Sequence, residues 1–137
     1  ALNGPLHPDE MARAAQISWL EAVRLPGAAQ VVCPLSLGNH VDHQLVRRAA
    51  EQLGRKLWYY ADYPYVLKQP ARLEEMAQAG WRRQLFPLSS TAVAAWQDAV
   101  AAHTSQISTF WTDESAMRAA IAEYAAQEAG VGLWKVG

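Results

Sequence analysis

The sequence predicts an α/β fold with a mostly parallel sheet and flanking helices. A short apolar run, Gln30 to Leu35, is followed by an amphipathic stretch, Gln44 to Leu53, and then by a second apolar run, Lys56 to Tyr60. That spacing of strand, helix and strand implies a right-handed crossover joining a parallel pair. Val31, Val32 and Cys33 follow one another in the first run, which reads as a central strand buried on both faces. Between run and helix lies Ser36-Leu37-Gly38-Asn39-His40-Val41-Asp42-His43. Its two imidazoles and a carboxylate fall at a strand's carboxyl end, where open α/β sheets keep their ligands.

Taken in order, residues 1–7 are a loop containing Gly4 and Pro5, and Pro8 opens a helix with Asp9 and Glu10 in its first turn. That helix runs to about Leu25 and stops at Pro26-Gly27. After the first strand, Gly38 allows a tight turn, Asn39 serves as N-cap, His40 takes the first helical position, Asp42 the third and His43 the fourth. Residues three apart share a helix face, so both imidazoles look into one crevice. The positive end of the helix dipole disfavours imidazolium and keeps the rings neutral. In this helix Val46, Ala49, Ala50 and Leu53 form the buried stripe, with Arg47, Arg48 and Glu51 toward water, and Gly54 closes it.

Beyond the second strand, residues 61–65 form another loop at a strand's carboxyl end. Leu73 to Ala79 is a short helix ended by Gly80, and Trp81 to Leu88 an extended piece at a sheet edge, because it contains Pro87. Ser89-Ser90-Thr91 caps a helix in which Val93, Trp96, Val100, His103, Ile107 and Phe110 follow at steps of three and four. His103 on that apolar face reads as a hydrogen-bonded core histidine before it reads as a ligand. Thr112, Asp113 and Glu114 start the last helix, Gly130 ends it, and Leu133 to Val136 closes the chain as a strand.

Composition narrows the function classes. The chain has 137 residues, 51% hydrophobic and 18% charged, enough for one globular domain over 1–137, or for the C-terminal part of one. A formal net charge of -1 gives no electrostatic reason to expect nucleic acid or an anionic membrane as partner. The lone Cys33 rules out a disulfide within the chain and fits a reducing, cytoplasmic setting. No apolar run reaches the roughly 18 residues of a membrane span. There is no Gly-x-Gly-x-x-Gly, no phosphate-cradling loop and no Gly-x-Ser-x-Gly elbow, so nucleotide binding and serine hydrolysis lack support.

Three blocks carry a resemblance. Pro34 to Val46, with its His-x-Asp-His core, then Tyr59-Tyr60-Ala61-Asp62-Tyr63-Pro64-Tyr65, then Ser105-Gln106 ahead of an aromatic pair resemble the C-terminal part of the PIG-L/LmbE-like deacetylases. The resemblance spans roughly residues 28–136 in order. It implies a Rossmann-like fold and a zinc-dependent hydrolase that removes N-acetyl groups from glucosamine-containing conjugates. It also implies His43 as a zinc ligand, His40 as the group stabilising the developing oxyanion, and Asp42 as the carboxylate that orients or charges the pair. For Tyr60, Asp62 and Tyr63, substrate contact and loop structure stay open alternatives.

Members of that family begin with a strand and a His-Pro-Asp-Asp-Glu or similar block, which supplies the remaining ligands and the general base. Nothing of that kind opens this chain. His7-Pro8-Asp9-Glu10 reads as a helix start, with a degenerate metal motif as the alternative. A catalytic zinc takes three protein ligands. The expectation is therefore a site shared with a missing N-terminal segment or a second chain, an amino-sugar conjugate as substrate, and an isolated chain that is inactive and holds zinc poorly. The rival is a non-catalytic carbohydrate- or ligand-binding module that kept the fold.

Overall fold

The computed structural model describes residues 3–137, without the side chains of residues 18–23. The loop expected over 1–7 is thus described from Asn3 onward. In chain order the elements are α1 (Pro8–Arg24), β1 (Val31–Pro34), α2 (Val41–Glu51), β2 (Leu57–Tyr60), a 3-10 turn (Tyr65–Lys68), α3 (Pro70–Gln78), β3 (Trp81–Phe86), α4 (Ser90–Ala101), α5 (Thr104–Phe110), α6 (Glu114–Gln127) and β4 (Val131–Val136). None of the helices among the described residues is long and apolar enough to cross a membrane.

The chain divides into two compact units, one reaching to Arg83 and including Leu133–Gly137, the other Gln84–Gly132. In the first, α2 packs against α1 and β1. The parallel pair is as the spacing predicts: β1 and β2 run side by side in the same direction, with Val31 opposite Leu57 and Pro34 opposite Tyr60. Cys33, Leu35, Leu37, Ala49, Ala50 and Tyr59 are buried there, and burial pushes the Cys33 thiol up to about 11, so it stays an unreactive core residue.

The sheet as a whole departs from the expected one. Its four strands run in the order β1-β2-β4-β3, and β4 is antiparallel to β2, with Tyr59 opposite Trp134 and Tyr60 opposite Leu133. The fold is mixed α/β and not clearly Rossmann-like. The register gives the reason: β4 enters the sheet beside the carboxyl end of β2, so it must run back along it. A strand's periodicity carries no direction, which the connection alone decides. β1 is an end strand of this sheet, with Val32 46% exposed, in place of the central strand expected from its apolar run. β3 stands at the opposite end of the order, as Pro87 suggests.

In the second unit the single helix expected over 91–110 is two. α4 stops at Ala101 and α5 starts at Thr104, with His103 exposed at the break and not in a core. The apolar spacing runs unchanged through this break, which is why it read as one face. α6 packs on α4 and α5 and buries Met117, Ile121 and Ala125, and Ile107 of α5 is buried too. Asp113 caps α6 by accepting from Ala116 N at 2.8 Å. Asp113→Ala should cost about 1 kcal/mol in chemical denaturation through loss of that cap; an unchanged midpoint would contradict the assignment.

Candidate active site

The loop between β1 and α2 turns on two residues with left-handed backbone, Ser36 (φ 60°) and Asn39 (φ 52°). Asparagine tolerates that region better than most residues. Asn39 is therefore a turn residue, and the N-cap is His40, with φ −64° and ψ 134°. Its Nδ1 accepts a hydrogen bond from Asp42 N at 3.3 Å. Helix α2 starts one residue later than the sequence suggests, so Asp42 and His43 take its second and third positions. Gly38 lies under the Tyr65 ring, where a Cβ would come within 2.3 Å of a ring carbon. Only glycine fits there.

His43 points into the unit and its Nδ1 lies 2.7 Å from Asp62 Oδ1. The Asp62 side chain is 0% exposed, and its other oxygen, Oδ2, accepts from Leu37 N at 3.0 Å. An ionised carboxylate can only accept, so His43 Nδ1 carries the proton and, in the neutral ring, Nε2 has a free lone pair. The neutral form of His40 is the opposite tautomer. Its Nδ1 is an acceptor, which leaves the proton on Nε2. The two rings stand side by side, with centroids 5.3 Å apart and planes tilted by 46°. Tyr65 meets His43 edge-on at 6.0 Å. One ring thus presents a lone pair and its neighbour an N–H, which are the two functions that metal ligation and carbonyl polarisation require.

The carboxylate on His43 is that of Asp62 at the exit of β2, and the side chain of Asp42 is 81% exposed, 3.8 Å from His40 Nδ1. Sequence reasoning placed the orienting carboxylate next door on α2, although the loop after β2 was the other place to look. Tyr65 lies in the resembling block but had no role assigned to it, and Gln69, which donates to Leu37 O, carried no signal. At His43, Asp62 works against the expected effect of the helix dipole, which disfavours imidazolium. Its hydrogen bond raises the His43 pKa above the ordinary 6.5 against the opposing effect of burial, with the charges of Asp62 and Asp42 adding to the rise. Tyr60 stays a neutral phenol, its pKa raised by burial and then by the Asp62 charge.

The remaining candidates lie elsewhere. His7 accepts from Asp9 N, while its own N donates to Glu10 Oε2 at 2.7 Å, a reciprocal cap that accounts for His7, Asp9 and Glu10 as a helix start. Arg47, expected in water, donates to Leu35 O at 2.7 Å and lies over the Tyr59 ring. Among the described residues no three His, Cys, Asp or Glu side chains form a metal-binding group.

The pH dependence follows from the raised pKa. The pH-dependent part of the stabilisation from the His43–Asp62 pair is full below the unfolded value of 6.5 and is lost as pH rises through the folded one. In an NMR titration His43 should therefore show a midpoint above 6.5, and Asp62→Asn should lower it. Equal midpoints in the two proteins would contradict the pairing.

Comparison with known proteins gives one partial likeness. No protein-family model matches the chain, and no solved structure matches it. The chain is 35% identical over 74 residues to a 2'-N-acetylparomamine deacetylase of Streptomyces fradiae. The matched stretch covers 51% of this chain but only 26% of that enzyme, so the chain spans about a quarter of the length of the curated relative it resembles.

Proposed function

We propose that this chain supplies one part of the active site of a zinc-dependent N-deacetylase acting on an acetylated amino-sugar conjugate. The observation that carries the reading is the pair of side-by-side imidazoles in opposite tautomers, one of them fixed by a buried carboxylate. The partial likeness to a deacetylase supports the same reaction class.

The donor chemistry suits zinc. Metal-ligating histidines characteristically spend one ring nitrogen on a carboxylate, which fixes the tautomer and raises the basicity of the other. His43, held by Asp62, is such a ring, and its Nε2 would be a ligand. Further ligands would come from outside this pair, since a catalytic zinc takes three. Zinc supplies Lewis acidity toward the amide carbonyl and lowers the pKa of water to about 7. The residues of this chain do the rest. His40 directs an N–H at the carbonyl oxygen as negative charge develops on it. Asp42 orients that ring through its backbone N–H, which donates to His40 Nδ1 and leaves the ring proton on Nε2. Asp62 positions His43 and, through Leu37 N, the loop that carries His40.

The two histidines should fail differently when replaced in the complete protein. His43→Ala is expected to lose zinc and activity together. His40→Ala should keep its zinc and its substrate affinity, yet lose roughly 100- to 1,000-fold in kcat, the size of removing one oxyanion donor. Metal content by elemental analysis, measured beside deacetylation of an N-acetylglucosamine conjugate, reads both effects. Equal zinc loss in the two variants would make both histidines ligands. Full activity in both would remove the two histidines from the mechanism, and a complete protein with no deacetylase activity would leave the binding-module reading instead.

A further inference from the structure

A cleft of about 840 Å³ opens between α2 and α3, with Ser36 and Leu37 in its wall and Trp81 among its lining residues. That volume is within the roughly 300–1,000 Å³ of small-molecule sites. Its wall is also the loop whose Leu37 N–H rests on Asp62, so cleft and imidazole pair share one segment of chain.

The charges in the cleft do not cancel. Arg47 is paired with Glu51 through Nε at 2.8 Å, and Arg72 with Glu75 at 3.0 Å. Arg48, the third arginine of the lining, has no carboxylate partner among the described residues. One positive charge is left over on a helix face that looks into a bounded space. Ser36 adds a second irregularity, since its Oγ is buried without a hydrogen-bond partner, and buried hydroxyls are nearly always satisfied. Paired arginines and glutamates supply donors and acceptors together, as a hydroxylated ligand requires.

We infer that this cleft binds the part of a hydroxylated small molecule that carries an oxyanion, a carboxylate or a phosphate ester, with Arg48 as the residue that selects its charge. The inference rests on the deacetylase reading only for the sugar-like class of the ligand: it makes the substrate an acidic conjugate. Arg72, freed from Glu75, can swing to the same group.

Titration calorimetry on the 137-residue chain tests this with N-acetylglucosamine, its 6-phosphate, N-acetylmuramic acid and inorganic phosphate as probes. At least one of the two acidic sugars should bind about tenfold or more tightly than N-acetylglucosamine, with an advantage that shrinks as salt rises. Whichever acidic sugar shows it identifies the group as phosphate or carboxylate. Arg48→Gln, an exposed substitution, should abolish the advantage, and Glu75→Gln should enlarge it by releasing Arg72, which a merely destabilised protein would not do. Equal affinity for neutral and acidic sugars overturns the inference, as does an advantage that survives Arg48→Gln. So does inorganic phosphate binding as tightly as the sugar phosphate, because the cleft would then read nothing but charge. Binding is read without turnover, so a protein that never deacetylates but shows the advantage sinks the function above and leaves the cleft standing.

Discussion

The buried carboxylate of Asp62 is the constraint on which this site depends. A carboxylate with no exposure is tolerated only where its oxygens are satisfied, and each oxygen of Asp62 has one partner, His43 Nδ1 and Leu37 N. Three pieces of chain are tied at that point: the exit of β2, the loop after β1 and the first turn of α2. The parallel β1–β2 pair brings the two loops to the same end of the sheet, and the carboxylate locks them there.

From that lock comes the chemical difference between two histidines only three residues apart. His43 faces an acceptor and must donate from Nδ1, whereas His40 caps the helix and must accept there. A helix start thus sets one tautomer and a buried acid the other. Neither imidazole owes its state to being in a histidine-rich motif. Gly38 serves the same arrangement from below, because its missing side chain makes room for the Tyr65 ring that packs edge-on to His43.

Much of this was legible in the sequence, and the failures share a cause. Periodicity and punctuation located every strand and nearly every helix: Pro8 and Asp113 mark helix starts, and Gly54 and Gly80 take positive φ just past helix ends, as glycines there should. The parallel pairing of β1 with β2 also follows from spacing alone. What failed was information that lies in partners far along the chain. The direction of β4, the end position of β1 and the exposure of His103 depend on which element comes alongside, and local pattern is the same either way. The site shows this most clearly. His40 and His43 were visible as a motif, but the acid that sets the tautomer of His43 is 19 residues away. Asp42, adjacent and equally acidic, was the natural candidate by proximity.

The central claim is that the two rings are fixed in opposite tautomers, and nitrogen-15 NMR reads this directly. In the labelled chain, at a pH above the titration of His43, two-bond proton–nitrogen correlations should show the His43 proton on Nδ1 and the His40 proton on Nε2. The same tautomer in both rings, or a His43 proton on Nε2, would contradict the account, since the nitrogen assigned to ligation would then be blocked.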